Sequence, residues 1–510
     1  MMNLGCRCSR NRAMRRIFFL AVFFAIAFTG CAVGPYFRPP ELAISRSYTA
    51  ASLPSKTASA PVAGGSAQEF IFAEDVSAQW WTLFGSPELD RLVRRGLEGS
   101  PSLSAAEASL RKVAEILSAT RGGLLYPGFD LNVQAARDRT STNTFPATSI
   151  FTVYNASVNV SYTFDFFGGL RRRIEGAQAQ VEYQRYQLEA AYLSLTANIV
   201  TTAIQEAALR AQISSTREIV AAEEKRLEVV KKQVHLGALP GVALFAQQSQ
   251  LAMTRALLPS LEKQLAFSEH ALAVLIGDFP GEGGLPELYL ETLHLPESLP
   301  VSLPSRLVRQ RPDIRASEAL LHVACAEVGV ATANLYPQIS LSAGYGVQAM
   351  STGVLFSGES AAWNIGTGLL QPIFRGGELT AKRRAAIAAY DQSAAEYRQT
   401  ILKAFQNVAD VLRALETDAE ALRAHVEAES AAKATLDLIG KQFGLGASNY
   451  PLLLIAQRDY LKAHINVIAA QAQRYADTAS LFQALGGGWW NRPATPVYGM
   501  SEREGGLAYQ

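Results

Sequence analysis

The stretch "VYNASVNVSYTFDFFGGLRRR" occupies residues 153–173. Up to Asp165 it alternates without a break. Tyr154, Ala156, Val158, Val160, Tyr162 and Phe164 fall on one side; Asn155, Ser157, Asn159, Ser161, Thr163 and Asp165 fall on the other. A period of two is the mark of a β-strand. An apolar side against a polar side, over about 10 residues, fits a transmembrane barrel with lipid outside and water inside. A soluble sheet packing one face on a core writes the same pattern. After the glycine pair Gly168-Gly169 the alternation stops and a helical pattern begins.

Four such strand-like segments are expected, at about 129–137, 151–165, 338–347 and 362–373. In 339–347 the shared face carries Ile339, Leu341, Ala343, Tyr345 and Val347. Four strands cannot close a barrel, and lipid tolerates no open strand edge, so several chains must share one barrel.

Two very long helices are expected, at about 170–235 and 379–443. About 65 residues at 1.5 Å each give roughly 100 Å. The second carries Ile401, Phe405, Val408, Leu412, Leu415, Ala419, Leu422 and Val426 at alternating steps of four and three, a heptad seam. Leu209, Ile213, Val220, Leu227 and Val234 stand at compatible spacing in the first.

The chain is written twice. "LYPGFDLNV" (125–133) pairs with "LYPQISLSA" (335–343), and "KQVHLGALPGVALFAQQ" (232–248) pairs with "KQFGLGASNYPLLLIAQ" (441–457). "SPSLSAAEASLRKVAEI" (100–116) and "FGGLRRRIEGAQA" (167–179) also have counterparts, all at an offset near 210 residues. Each half reads as a helix of about 20 residues, two strands, a very long helix, a glycine turn and a helix of about 35 residues. The divisions are a signal segment 1–30, an extended lead 31–78, a first repeat 79–277, a Pro/Gly-rich linker 278–304, a second repeat 305–487 and a tail 488–510. The polar Ala43–Ser66 part of the lead is poor in large apolar residues and is expected to be flexible or extended.

Ahead of the repeats, Arg7, Arg10, Arg12, Arg15 and Arg16 form a basic head, and Ile17 to Phe28 is wholly apolar. That run is too short to span a bilayer but suits a signal-peptide core. Thr29-Gly30-Cys31 then resembles a bacterial lipoprotein cleavage site, with Cys31 as the lipidated first mature residue; Phe28 stands where Leu is usual. Cys6 and Cys8 leave with the signal, so Cys325 is the single free thiol and no internal disulfide is possible. The chain's 47 basic residues include those five arginines, against 45 acidic residues that all lie later, so the mature chain is slightly acidic. Nothing in that balance calls for nucleic acid.

Chemistry is sparse. There is no phosphate-binding loop, no His-Glu-x-x-His and no Gly-x-Ser-x-Gly. The six histidines are dispersed without ligand spacing, so neither an enzyme nor a metal site is expected.

At this point the sequence resembles the TolC-type outer-membrane efflux ducts, in the lipoprotein branch found in tripartite drug exporters. The carriers are "CAVGPYFRPP" (31–40), "WWTLFGSPELDRLV" (80–93), "FDFFGGLRRR" (164–173), "LVRQRPDIRASEALL" (307–321), "LYPQISL" (335–341) and the two "LGA" turns. The resemblance implies a mainly α fold with transmembrane β. Three copies would form a 12-stranded barrel continued by a 12-helix periplasmic tunnel. It implies a passive duct for small toxic compounds, working with a periplasmic adaptor and an inner-membrane pump of the RND type. The outer-membrane duct of a type I protein secretion system shares the fold and is the alternative. The only cofactor expected is the lipid on Cys31. The turns Leu236-Gly237-Ala238 and Leu445-Gly446-Ala447-Ser448 would be the adaptor-contacting tip. Where the family often has two gating aspartates, this chain has Leu452 and Ile455, which points to an apolar constriction instead.

Overall fold

The computed structural model describes residues 32–40, 47–50, 53–140 and 150–492. Cys31 and the signal segment lie outside the described residues. The described chain falls into two compact units that cut across the sequence repeats. One gathers Leu110–Gln184 and Ala316–Arg398 with the described residues up to 40; the other gathers Arg185–Arg315, residues 47–109 and Gln399 onward.

The first unit holds a four-stranded antiparallel sheet. Numbered in chain order, with β1 and β4 reserved for the second unit, its strands are β2 (Gly128–Arg139), β3 (Ile150–Phe164), β5 (Gln338–Ala349) and β6 (Ala361–Leu370), in the order β2-β3-β5-β6. The last strand stops at Leu370, short of the expected 373, where Gln371-Pro372 follows. Proline cannot donate to a sheet ladder, and the Gln371 side chain donates through Nε2 to the Pro372 carbonyl at 2.8 Å. The helices α2 (Pro101–Leu125), α3 (Gly169–His235), α6 (Pro312–Ala333) and α7 (Glu378–Gly444) all join the same end of this sheet. Asp165 caps α3, accepting from the Leu170 and Arg171 amides at 3.0 and 2.9 Å.

The second unit is helical and holds the main core. It contains α1 (Pro87–Gly99), α4 (Gly241–Ile276), α5 (Pro304–Gln310), α8 (Tyr450–Ala484) and most of the long helices. The seam residues Val408, Leu412, Leu415, Ala419 and Leu422 are fully buried, and Ile401 nearly so. Trp80 stacks on Phe482 with centroids 5.3 Å apart, and Phe84 and Tyr475 close the same cluster. The short helices α1 and α5 stand ahead of the helix of about 20 residues expected in each repeat. Each is divided from the next helix by one residue, with proline opening that next helix at Pro101 and Pro312.

Two segments outside the repeats are packed against the fold. In the linker 278–304, Leu288, Leu290, Leu293 and Leu295 are buried in the core, and β4 (Ser298–Val301) pairs in parallel with β1 (Glu69–Phe72). The described part of Ala43–Ser66 takes the extended course, and it is docked. Arg474 of α8, wholly buried, donates to Thr57 Oγ1 at 2.9 Å, to Gly64 O at 3.1 Å and to Ser66 O at 2.6 Å. Burial lowers its guanidinium to about 10, and these carbonyls replace the lost water. The tail begins in the same way: Trp489 donates to Gln310 O at 2.6 Å and Trp490 to Asp75 at 2.9 Å.

Asp477 of α8 faces Asp418 of α7. Burial first, and then a hydrogen bond shared with Asp418, push the Asp477 carboxyl up to about 7. Between about pH 4 and pH 7 the folded chain therefore holds a proton that the unfolded chain has released, and stability falls as pH rises across that window. Asp477→Asn should flatten this slope. Thermal melts at both ends of the window check it, and an unchanged slope would contradict it.

Candidate functional site

The sheet is a two-faced wall. Register carries Phe129, Leu131 and Val133 across Val160, Val158 and Ala156 to Ala343, Tyr345 and Val347, and on to Ile365, Trp363 and Ala361. These three rows are apolar and much of their surface is exposed, Leu131 and Val133 at 74% each. The other face carries Asp130, Asn132, Asn155, Ser157, Asn159, Ser342, Gly344, Gly346 and Asn364. At Gly344 an added Cβ would lie 2.4 Å from Asn364 Oδ1 and 2.9 Å from Asn159 Oδ1, so the asparagines occupy the space the glycine leaves. Tyr162, Phe164, Phe166 and Phe167 gather at the helix-bearing end, Phe167 stacked on Tyr336 at 4.8 Å, as in the aromatic girdle of a membrane barrel. Among the described residues, β2 and β6 each keep one edge without a strand partner.

The two glycine turns are built alike. In the first, Gly237 has φ 73°, Ala238 N–H donates to Gln233 O at 2.8 Å and Gly237 N–H to Val234 O at 3.1 Å. In the second, Gly446 has φ 74°, Ala447 N–H donates to Gln442 O at 2.8 Å and Gly446 N–H to Phe443 O at 3.1 Å. Both are Schellman caps, which need left-handed backbone and so favour glycine. The caps do not need the leucines beside them. Leu236 is 79% exposed and Leu445 85%. Ser448 is half-buried, and its hydroxyl has no partner among the described residues.

A small cluster lies behind these turns, with Val230, Ala243, Ile439, Tyr450, Leu453 and Ala456 buried. Asn449 caps α8 through the Leu452 amide at 3.0 Å. Helical spacing then turns Leu453, Ala456 and Gln457 inward and leaves Leu452 and Ile455 at 43% and 45% exposure on the opposite side. The Tyr450 hydroxyl donates to Gln247 of α4, tying the start of α8 to the start of α4. Glu223, desolvated nearby, has its carboxyl raised, and burial lowers the Arg226 guanidinium.

Two histidines that look isolated in the sequence join charged clusters in space. His464 contacts Glu429 at 2.6 Å through Nδ1 and Ser215 at 3.0 Å through Nε2. The order matches that of a hydrolytic triad. Each of the three residues sits inside a long helix. The arrangement ties α3, α7 and α8 together. His322 Nε2 contacts Glu175 at 2.9 Å, and Arg172 donates to the same carboxylate at 2.6 Å. Phe37 stacks on the His322 ring at 4.3 Å and Tyr36 lies over the Arg172 guanidinium at 4.7 Å. Residues just after Cys31 are thereby fixed against α3 and α6. Among the described residues no group of His, Cys, Asp or Glu has the arrangement of a metal site.

Residues 92–278 and 303–487 match the sequence profile described as "Outer membrane efflux protein". The chain is 30% identical over 418 residues to the pyoverdine export outer membrane protein OpmQ of Pseudomonas aeruginosa, covering 81% of this chain and 87% of that protein. It is 26% identical over 482 residues to the toluene efflux pump outer membrane protein TtgF of Pseudomonas putida, covering 94% and 98%. The structure matches that of the outer-membrane channel OprN with a TM-score of 0.81 at 25% identity, over 90% of this chain and 100% of that one.

Proposed function

Since the chain belongs to the outer membrane efflux protein family, we propose that three copies of it pool their strands into one barrel and their long helices into a periplasmic duct. Each chain is an outer-membrane efflux channel subunit. The observation that carries the assembly is the pair of free edges on β2 and β6. With four antiparallel strands per chain, β2 of one copy runs opposite to β6 of the next, so a ring closes with every edge paired. The duct is passive, and energy comes from a pump in the inner membrane. The exposed Leu236 and Leu445 at the two capped turns form the face that meets a periplasmic adaptor. The two relatives are named for different exports, pyoverdine and toluene, so the family does not fix this chain's substrate. Purified protein in a planar bilayer should show steps of one unit conductance, and cross-linking should stop at the trimer. A chain that cross-links but never conducts would be a structural coiled coil, which would refute the duct.

The lipid on Cys31 belongs to the same reading. Ala32 follows it, and Val33 N–H donates to Phe167 O at 3.0 Å, so the chain leaves the sheet's helix-bearing end at the level of the girdle aromatics. A fatty-acid label should appear on the protein and disappear in Cys31→Ser. Export should fall only in part in that variant, because the barrel alone holds the protein in lipid. Absence of label on the wild type would refute the anchor.

A further inference from the structure

The outward face of the sheet is apolar from Phe129 to Ala135 on β2 and from Phe164 to Tyr154 on β3. It then changes character at the hairpin end. Arg137 and Arg139 follow on β2, in register with Thr152 and Ile150. They are the only charged side chains on the outward rows of the four strands. Asp138 between them points to the other face, opposite Phe151. Both arginines are exposed, and among the described residues no carboxylate pairs with either. The hairpin sequence 141–149 contains no acidic residue.

Their height is set by the band below them. The residues from Tyr154 to Phe164 rise about 3.4 Å each and, tilted about 45°, cover about 26 Å. That is the apolar height of an outer-membrane barrel. The next outward pair, Arg137 with Thr152, therefore stands at headgroup level. All four adjoining helices leave the opposite end of the sheet, so with a periplasmic duct the hairpin end meets the outer leaflet.

We propose that Arg137 and Arg139 form a clamp for the phosphate groups of an outer-leaflet lipid. A guanidinium matches phosphate through two parallel N–H bonds, and two of them two residues apart on one strand lie on the same side. Neither is needed by the apolar band. The lipid bears phosphate and is bound from the side of the barrel. The inference rests on the barrel reading given above.

The test uses the full-length protein in detergent, with bis-phosphorylated lipid A as probe and the same lipid without phosphate as control. Binding is read by native mass spectrometry. Arg137→Gln with Arg139→Gln should weaken binding of the phosphorylated lipid about tenfold or more and leave the control unchanged. Added inorganic phosphate should not displace the lipid. Equal binding by wild type and double variant would overturn the clamp, and so would displacement by free phosphate. Loss of the trimer in the double variant, reproduced by Glu359→Gln in the turn just before β6, would also overturn it, because the arginines would then serve contact between copies. Heat-modified gel mobility is read in the same samples. A wild-type protein without a heat shift would sink the barrel and the clamp together, whereas a normal shift with equal lipid binding sinks the clamp alone.

Discussion

Val158→Arg is expected to block assembly of the barrel, while Asn159→Arg, one residue along, leaves it intact. Val158 lies midway along β3 on the apolar face, beside Leu131 on β2 and Tyr345 on β5. Its side chain is 44% exposed in the single chain. A charge on the lipid face near mid-bilayer costs roughly 2–4 kcal/mol, and a symmetric assembly incurs it in every copy. Asn159 points to the other face, where its amide donates to Ser157 Oγ at 3.3 Å and its neighbours across the strands are Asp130 and Gly344. An arginine there extends into water above a glycine. Heat-modified gel mobility separates folded barrel from unfolded chain. Equal folding of the two variants would show that the faces are assigned the wrong way round.

Leu452→Asp with Ile455→Asp is expected to open the resting channel to ions and to introduce block by divalent cations. These two residues occupy the exposed side of the first turns of α8, and Leu453 and Ala456 on the buried side hold that helix in place. If three copies surround an axis with these residues facing it, two apolar rings would crowd the throat, and a narrow apolar throat excludes water and ions. Carboxylates at the same positions wet it and bind cations. The substitutions leave the Asn449 cap, the Tyr450–Gln247 tie and the buried seam from Ile401 to Leu422 untouched, so the trimer should persist. Single-channel recording reads the result. Unchanged resting conductance and no cation block, in a variant confirmed as a trimer, would move the constriction elsewhere.

What could be read from the sequence was what is local and periodic. The long helices, expected at 170–235 and 379–443, run Gly169–His235 and Glu378–Gly444, because a seam of fours and threes over that length fits no other structure. The two faces of the sheet follow from alternation alone. The contacts that were missed join residues far apart in the chain. Arg474 reads as one more charge on a helix, yet it is the fully buried post to which residues 57–66 are bound. The Pro/Gly content of 278–304 suggested a linker, but every few residues a leucine there enters the core, and that spacing was the available signal. His322 and His464 gave no local hint, since Glu175, Glu429 and Ser215 come from other helices. The tip glycines were legible because a positive φ leaves a mark in composition. The exposure of Leu236 and Leu445 beside them was not.

The unpaired edges of β2 and β6 also bear on the order of events during biogenesis. A lone subunit cannot complete its fold, because lipid would meet two rows of unsatisfied backbone groups. Membrane entry must therefore wait for encounter with siblings, and its rate must climb steeply with subunit density. A lipid tail at the N-terminus would hold waiting subunits on a surface, where the search for partners runs in two dimensions and local concentration is raised. On this view the anchor acts most before the channel exists. It would shorten the time an unfinished sheet spends exposed to proteases and to wrong partners in the periplasm.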